Sequence, residues 1–155
     1  MPFLAEAERV LDATPEAAFD ALAELAGWPD WMPSSFQLVG SADWLPGGAK
    51  GPPAPGGTFR VRIVHLPLPN TLTFTRVERG RELSWRGGGP LLHGHHRFLF
   101  EPLEGGKTRV RSSEEWAGLL APVLKPGVKP TAEKLGREQL GGLARALAKK
   151  QPLTK

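Results

Sequence analysis

The feature that most constrains this chain is a paired alternation around Gly105-Gly106. Upstream, Phe98 and Phe100 fall on one strand face, with Arg97 and Glu101 on the other. Downstream, Val110, Ser112, Glu114 and Trp116 share a face opposed by Arg109, Arg111 and Glu115. Period-two alternation on both sides of a Gly-Gly turn predicts a β-hairpin with one dry and one wet face. Closure through three loop residues would set His96 opposite Glu114; closure through five would set it opposite Ser112. Either register puts polar groups among the aromatics of the dry face. An apolar concavity with a few polar groups is what a small-molecule pocket requires.

The same reasoning extends along the chain. Phe3 to Leu11 reads as a strand because a helix start follows it. Thr14 can cap that helix, Pro15 fits its first turn and Glu16 suits its positive end. Phe19, Leu22 and Leu25 then share a face, and Gly27 is expected to end the helix. Trp28-Pro29-Asp30-Trp31-Met32-Pro33 predicts a short broken turn, and Phe36 to Trp44 a strand. Phe59, Val61 and Ile63 alternate with Arg60 and Arg62; Leu72 and Phe74 with threonines; Leu83 and Trp85 with Glu82, Ser84 and Arg86. Leu45 to Gly57 is a Gly/Pro loop without periodicity, long enough to suggest a role at a pocket entrance. Pro122, Pro126 and Pro130 are expected to forbid one long helix, so the C-terminal helix should begin at Pro130. From there Ala132, Leu135, Gln139, Leu140, Leu143 and Leu147 share a face. Gly136, Gly141 and Gly142 weaken it but would admit a sheet or a ligand closely. The order is strand, two short helices, six strands, long helix, with the helix covering the dry sheet face.

Composition narrows the function classes. A chain of 155 residues with 40% hydrophobic content suits one globular domain spanning 1–155. No apolar run is long enough to cross a membrane, and no signal peptide is expected from MPFLAEAERVL. Absence of cysteine fits a cytoplasmic location. The net charge of +4 is scattered, so nucleic acid is not an expected partner. His93 and His95 would share a face, but only two convergent ligands can be argued, so neither metal nor other cofactor is expected. Nucleophile-elbow, phosphate-loop and dinucleotide fingerprints are missing.

Several segments together carry a family likeness: Thr14-Pro15-Glu16, Trp28 to Pro33, Arg81 to Trp85, Gly94 to Phe98, and Glu114 to Leu120. Through them the chain resembles the SRPBCC superfamily of START-like lipid-transfer domains, pollen-allergen-like proteins and polyketide cyclases. The closest likeness is to the bacterial polyketide cyclase/dehydrase and lipid transport branch. His95 stands where that motif has a carboxylate, and the Gly/Pro loop is longer than the pattern. The resemblance implies an α+β helix-grip fold. A seven-stranded curved antiparallel sheet wraps a long C-terminal helix, with two short helices after the first strand. It also implies binding of a hydrophobic or amphipathic molecule, lipid-like or polyketide-like, between sheet and helix. The expected lining is Trp31, Phe59, Val61, Ile63, Phe74, Trp85, His96, Phe98, Ser112, Glu114, Trp116 and Leu143. No catalytic residue is assigned. The alternatives are a cyclase or aromatase using His96 or Glu114 as acid/base, and a co-chaperone-like protein-interaction module. No stable membrane insertion is expected, and the chain would act as a monomer or homodimer.

Overall fold

Gly105 and Gly106 hold φ of 81° and 74°, and the hairpin closes with Leu103 opposite Lys107. The three-residue closure is therefore the one adopted, and His96 faces Glu114 across the strands. The computed structural model describes residues 2–39, 53–63 and 69–150. Among these, seven strands form one antiparallel sheet: β1 (Phe3–Leu11), β2 (Phe36–Leu38), β3 (Thr58–Ile63), β4 (Asn70–Glu78), β5 (Glu82–Gly88), β6 (His93–Leu103) and β7 (Lys107–Ala117). Their spatial order is β1-β7-β6-β5-β4-β3-β2. Consecutive strands from β2 to β7 are neighbours, and β1 closes the far edge against β7.

Two short helices follow β1, as expected. Thr14 caps α1 (Pro15–Ala23), its hydroxyl accepting from the Ala17 N–H at 3.2 Å. The α-helix stops at Ala23 and continues as a tighter turn over Leu25–Gly27 before α2 (Trp28–Trp31). Phe19, Leu22 and Leu25 are all buried. Phe36 starts a strand as expected, but that strand ends at Leu38; Trp44, most of the Gly/Pro loop and Pro67 lie outside the described residues.

The C-terminal helix corrects one expectation. α3 runs from Ala121 to Lys150, nine residues earlier than Pro130. Pro126 and Pro130 lie inside it, each removing one backbone donor. The cost is tolerable because this stretch is exposed, so freed carbonyls meet water rather than protein. The Thr131 hydroxyl also donates to the Gly127 carbonyl at 3.0 Å. Beyond Pro130 the expected stripe is seen: Ala132, Gln139, Leu140, Leu143 and Leu147 are buried.

Two glycines set how closely α3 is seated. A Cβ on Gly136 would lie 3.1 Å from the Ser112 hydroxyl of β7. On Gly142 it would lie 2.2 Å from the Trp31 carbonyl of α2. Close approach, rather than helix propensity, is what these positions require. Gly142→Ala should therefore destabilise the protein by about 2–3 kcal/mol through overpacking. Gly141→Ala, where the nearest atoms stand at 3.6 Å, should be neutral or stabilising by up to about 1 kcal/mol. Denaturant melts of both variants check the contrast; equal effects would disprove the role assigned to Gly142.

Candidate functional site

The concave face divides into an aromatic block and a polar row. The block centres on Trp28, fully buried, whose indole N–H donates to the Leu22 carbonyl at 2.9 Å. Phe36, Phe59 and Trp85 surround it with ring centroids 5.6–5.9 Å away. Phe74 packs on Phe59 at 4.7 Å, and Phe98 on Trp85 at 5.4 Å. Val61 and Leu143 are buried in the same core, while Ile63 and Trp31 lie partly buried against it. Thus Phe59, Val61, Phe74, Trp85 and Phe98, expected as lining, spend most of their surface on one another.

The polar row occupies β6 and β7 beside this block. His96 stacks on Phe98, with ring centroids 4.3 Å apart, and meets the edge of Trp85 at 5.3 Å. Its Nε2 lies 2.7 Å from the Ser112 hydroxyl, and its Nδ1 3.8 Å from a Glu114 carboxyl oxygen. Next along β7, the Trp116 indole lies over Gly94, its cross-strand partner, with ring atoms 3.3 Å from where a Cβ would stand. A side chain there would push the indole back by a few tenths of an ångström. The sheet thus brings together His96, Ser112, Glu114 and Trp116, the polar members of the expected lining.

Burial sets the charge of this row. Enclosure depresses the His96 pKa to about 3, with a smaller contribution from neighbouring His95. Burial raises Glu114 to about 8, against a small opposing effect of the Trp116 N–H. Near neutral pH the imidazole is uncharged and the carboxyl holds its proton. That proton makes Glu114 a donor as well as an acceptor.

Hydrogen bonding in the row is incomplete. In the row, Glu114 Oε2 and Trp116 Nε1 are buried without a well-formed partner, and on α3 so are both amide atoms of Gln139. Buried polar atoms are ordinarily paired, and each orphan costs about 1–3 kcal/mol. Gln139 sits one turn beyond Gly136, on the face of α3 that meets β7. Sequence reasoning placed Gln139 on the helix's apolar stripe but did not assign it to the site. A lone amide in an otherwise aliphatic stripe was the available signal.

An open groove of about 670 Å³ lies on the opposite, convex face. Thr71, Thr73, Thr75, Arg86, His95 and Glu115 line it, and Thr75 and His95 bond to each other at 3.0 Å. It was not anticipated, and its wet, shallow lining separates it from the buried row. Among the described residues, no three His, Asp or Glu side chains converge in a way that could hold a metal ion. No described helix is long and apolar enough to cross a membrane.

Residues 2–150 match the model of the polyketide cyclase / dehydrase and lipid transport family. The chain belongs to that family. No curated protein matches it. Among solved structures, the aromatase/cyclase Zhui from a Streptomyces species is similar over 99% of this chain and 98% of its own, with 13% identity and TM-score 0.70. Norcoclaurine synthase from Thalictrum flavum, in complex with dopamine and hydroxybenzaldehyde, gives 11% identity, coverage of 98% and 90%, and TM-score 0.70. A hypothetical protein from Helicobacter pylori gives 15%, coverage of 93% and 87%, and TM-score 0.71. At such identities the likeness is one of fold. In this family member, the helix-grip architecture expected from the sequence is the architecture found.

The two titrations make opposed contributions to stability. Glu114, raised from 4.5 to about 8, stabilises the fold at low pH and loses that contribution as pH rises to about 8. His96, lowered from 6.5 to about 3, contributes stability above pH 6.5 and loses it as pH falls towards 3. Between pH 4.5 and 6.5 the two slopes cancel. From 6.5 to 8 the carboxyl acts alone, and stability should fall by up to about 1.4 kcal/mol per pH unit. Glu114→Gln should abolish that fall. Denaturant melts across this range check it, and an unchanged slope in the variant would remove Glu114 as its source.

Proposed function

We propose that this protein binds an uncharged amphipathic molecule, lipid-like or polyketide-like, inside the grip, with its polar group against Glu114 and Trp116. The orphaned polar atoms of those side chains carry this reading. They offer indole and carboxyl donors together with a carbonyl acceptor, and a ligand hydroxyl or ketone would bond to them. The neighbouring Phe98 and Trp85 rings supply an apolar wall beside His96. A charged head group suits the row poorly, because His96 and Glu114 are both neutral at pH 7 and a buried ion needs a counter-charge. Family membership, whose name includes lipid transport, points the same way.

The test is displacement of anilinonaphthalene sulfonate, a fluorescent apolar probe, by a fatty alcohol and by the carboxylate of equal chain length. The alcohol should compete at least about tenfold better at pH 7, reflecting the penalty on a buried ion. Glu114→Leu should leave the fold intact, since it removes a buried carboxyl with an unpartnered oxygen, and weaken alcohol binding by about 1–3 kcal/mol. Absence of displacement by either compound, together with native mass spectra free of co-purified ligand, would refute the reading.

One observation favours a second reading, a cyclase-type enzyme. Glu114 holds a proton 3.8 Å from a neutral imidazole, so one group can donate while the other accepts. Under that reading Glu114→Gln would abolish turnover of a poly-β-ketone substrate while preserving its binding. Equal turnover by the variant would exclude it.

A further inference from the structure

At one end of the sheet the β5–β6 loop, the β7–α3 turn and the first turn of α3 hold five aliphatic side chains out into water. Gly88 and Gly118 carry φ of 106° and 119°. A Cβ on either would stand 2.5 Å from a carbonyl oxygen of the β5–β6 loop, that of Leu92 for Gly88 and that of Leu91 for Gly118. The β7–α3 turn is therefore pressed onto that loop. The Leu120 N–H donates to the Leu91 carbonyl at 2.8 Å, and the Leu119 N–H reaches the Pro90 carbonyl at 3.4 Å. With these backbone groups satisfied between the loops, the side chains remain outside. Leu119 is 77% exposed, Val123 74% and Leu91 54%, with Leu120 and Leu124 near 40%. Single exposed aliphatics are ordinary, but five on two bonded segments make a patch.

The charge around the patch is mostly positive. Residues 83–100 and 116–132 contain no Asp or Glu, yet they carry Arg86, Arg97, Lys125 and Lys129. Arg97 is paired with Glu82, and Lys129 with Glu133. Lys125 and Arg86 have no acidic partner among the described residues, and Arg86 lines the same groove as Pro90 and His93. Glu115 also lines that groove and is the acid closest in sequence to the β7–α3 turn.

We propose that this end of the molecule docks peripherally on an anionic lipid surface, Leu119 and Val123 entering the headgroup boundary and Lys125 facing lipid phosphate. Exposed aliphatics flanked by cations are what interfacial binding requires. A second copy of the chain fits less well, because it would bring the same cations face to face. Nothing here depends on what the interior binds, since Leu119 and Val123 lie outside the grip.

Co-sedimentation of the full chain with vesicles tests the proposal. Partition onto phosphatidylcholine mixed with phosphatidylglycerol should exceed that onto phosphatidylcholine alone by about tenfold and fall with added salt. Leu119→Glu combined with Val123→Glu should cut it at least about tenfold, as should Lys125→Glu alone. All three sites are exposed, so melting temperature and probe binding inside the grip should be unchanged. No preference for anionic vesicles, or full retention by the double variant, would overturn the proposal. So would a wild-type dimer in analytical ultracentrifugation that the double variant converts to monomer, which would assign the patch to a second copy.

Discussion

The interior of this protein depends on how closely α3 approaches β7 and α2. At Gly136 the helix backbone meets the Ser112 side chain, and at Gly142 it meets the Trp31 carbonyl. A side chain at Gly142 would lift the helix, and one at Gly136 would crowd Ser112. Gln139 lies between these contacts, so their spacing holds its amide down in the interior. The same seating shuts water away from His96, Ser112 and Glu114. Their altered protonation is thus a consequence of helix position, since desolvation is the main cause of both pKa shifts.

Much of this was legible in the sequence, for identifiable reasons. Strand alternation depends on local geometry alone, so the inward set on β3 to β7 and the sharing of one face by His96, Ser112 and Glu114 could be read directly. The hairpin register needed the backbone, because Gly-Gly permits more than one closure. The extent of α3 was misjudged. A proline's penalty depends on whether the freed carbonyl meets water, and exposure of residues 122–127 is a tertiary fact. The division of aromatics between core and lining was equally hidden. Trp28 reaches into the sheet from α2 and draws Phe36, Phe59 and Trp85 around itself, a meeting that no local pattern encodes.

Two buried glutamates show why the polar row, and not every buried carboxylate, is read as a site. Glu82 lies on the convex face, where alternation predicted a wet position, yet it is only 7% exposed. Burial opposes its charge, but Arg97 grips it through two bonds of 3.0 and 3.3 Å, Ser84 donates at 2.5 Å, and Arg76 stands nearby. Together these partners hold its pKa below the ordinary value. Every demand Glu82 makes is met by the chain itself, so its environment explains it as structure.

Glu114 is buried to the same 7% and has no cation within bonding reach among the described residues. Its proton is retained because burial outweighs the opposing effect of the Trp116 N–H, and Oε2 is left without a partner. An apolar side chain of similar size would remove that cost and pack as well beside His96 and Trp116. The carboxyl therefore does not pay its way in stability, and the Trp116 N–H beside it repeats the pattern. Unmet hydrogen-bonding capacity at Glu114 and Trp116, beside a sheet whose other buried acid is fully served, is the physical contrast on which the proposal of a ligand there rests.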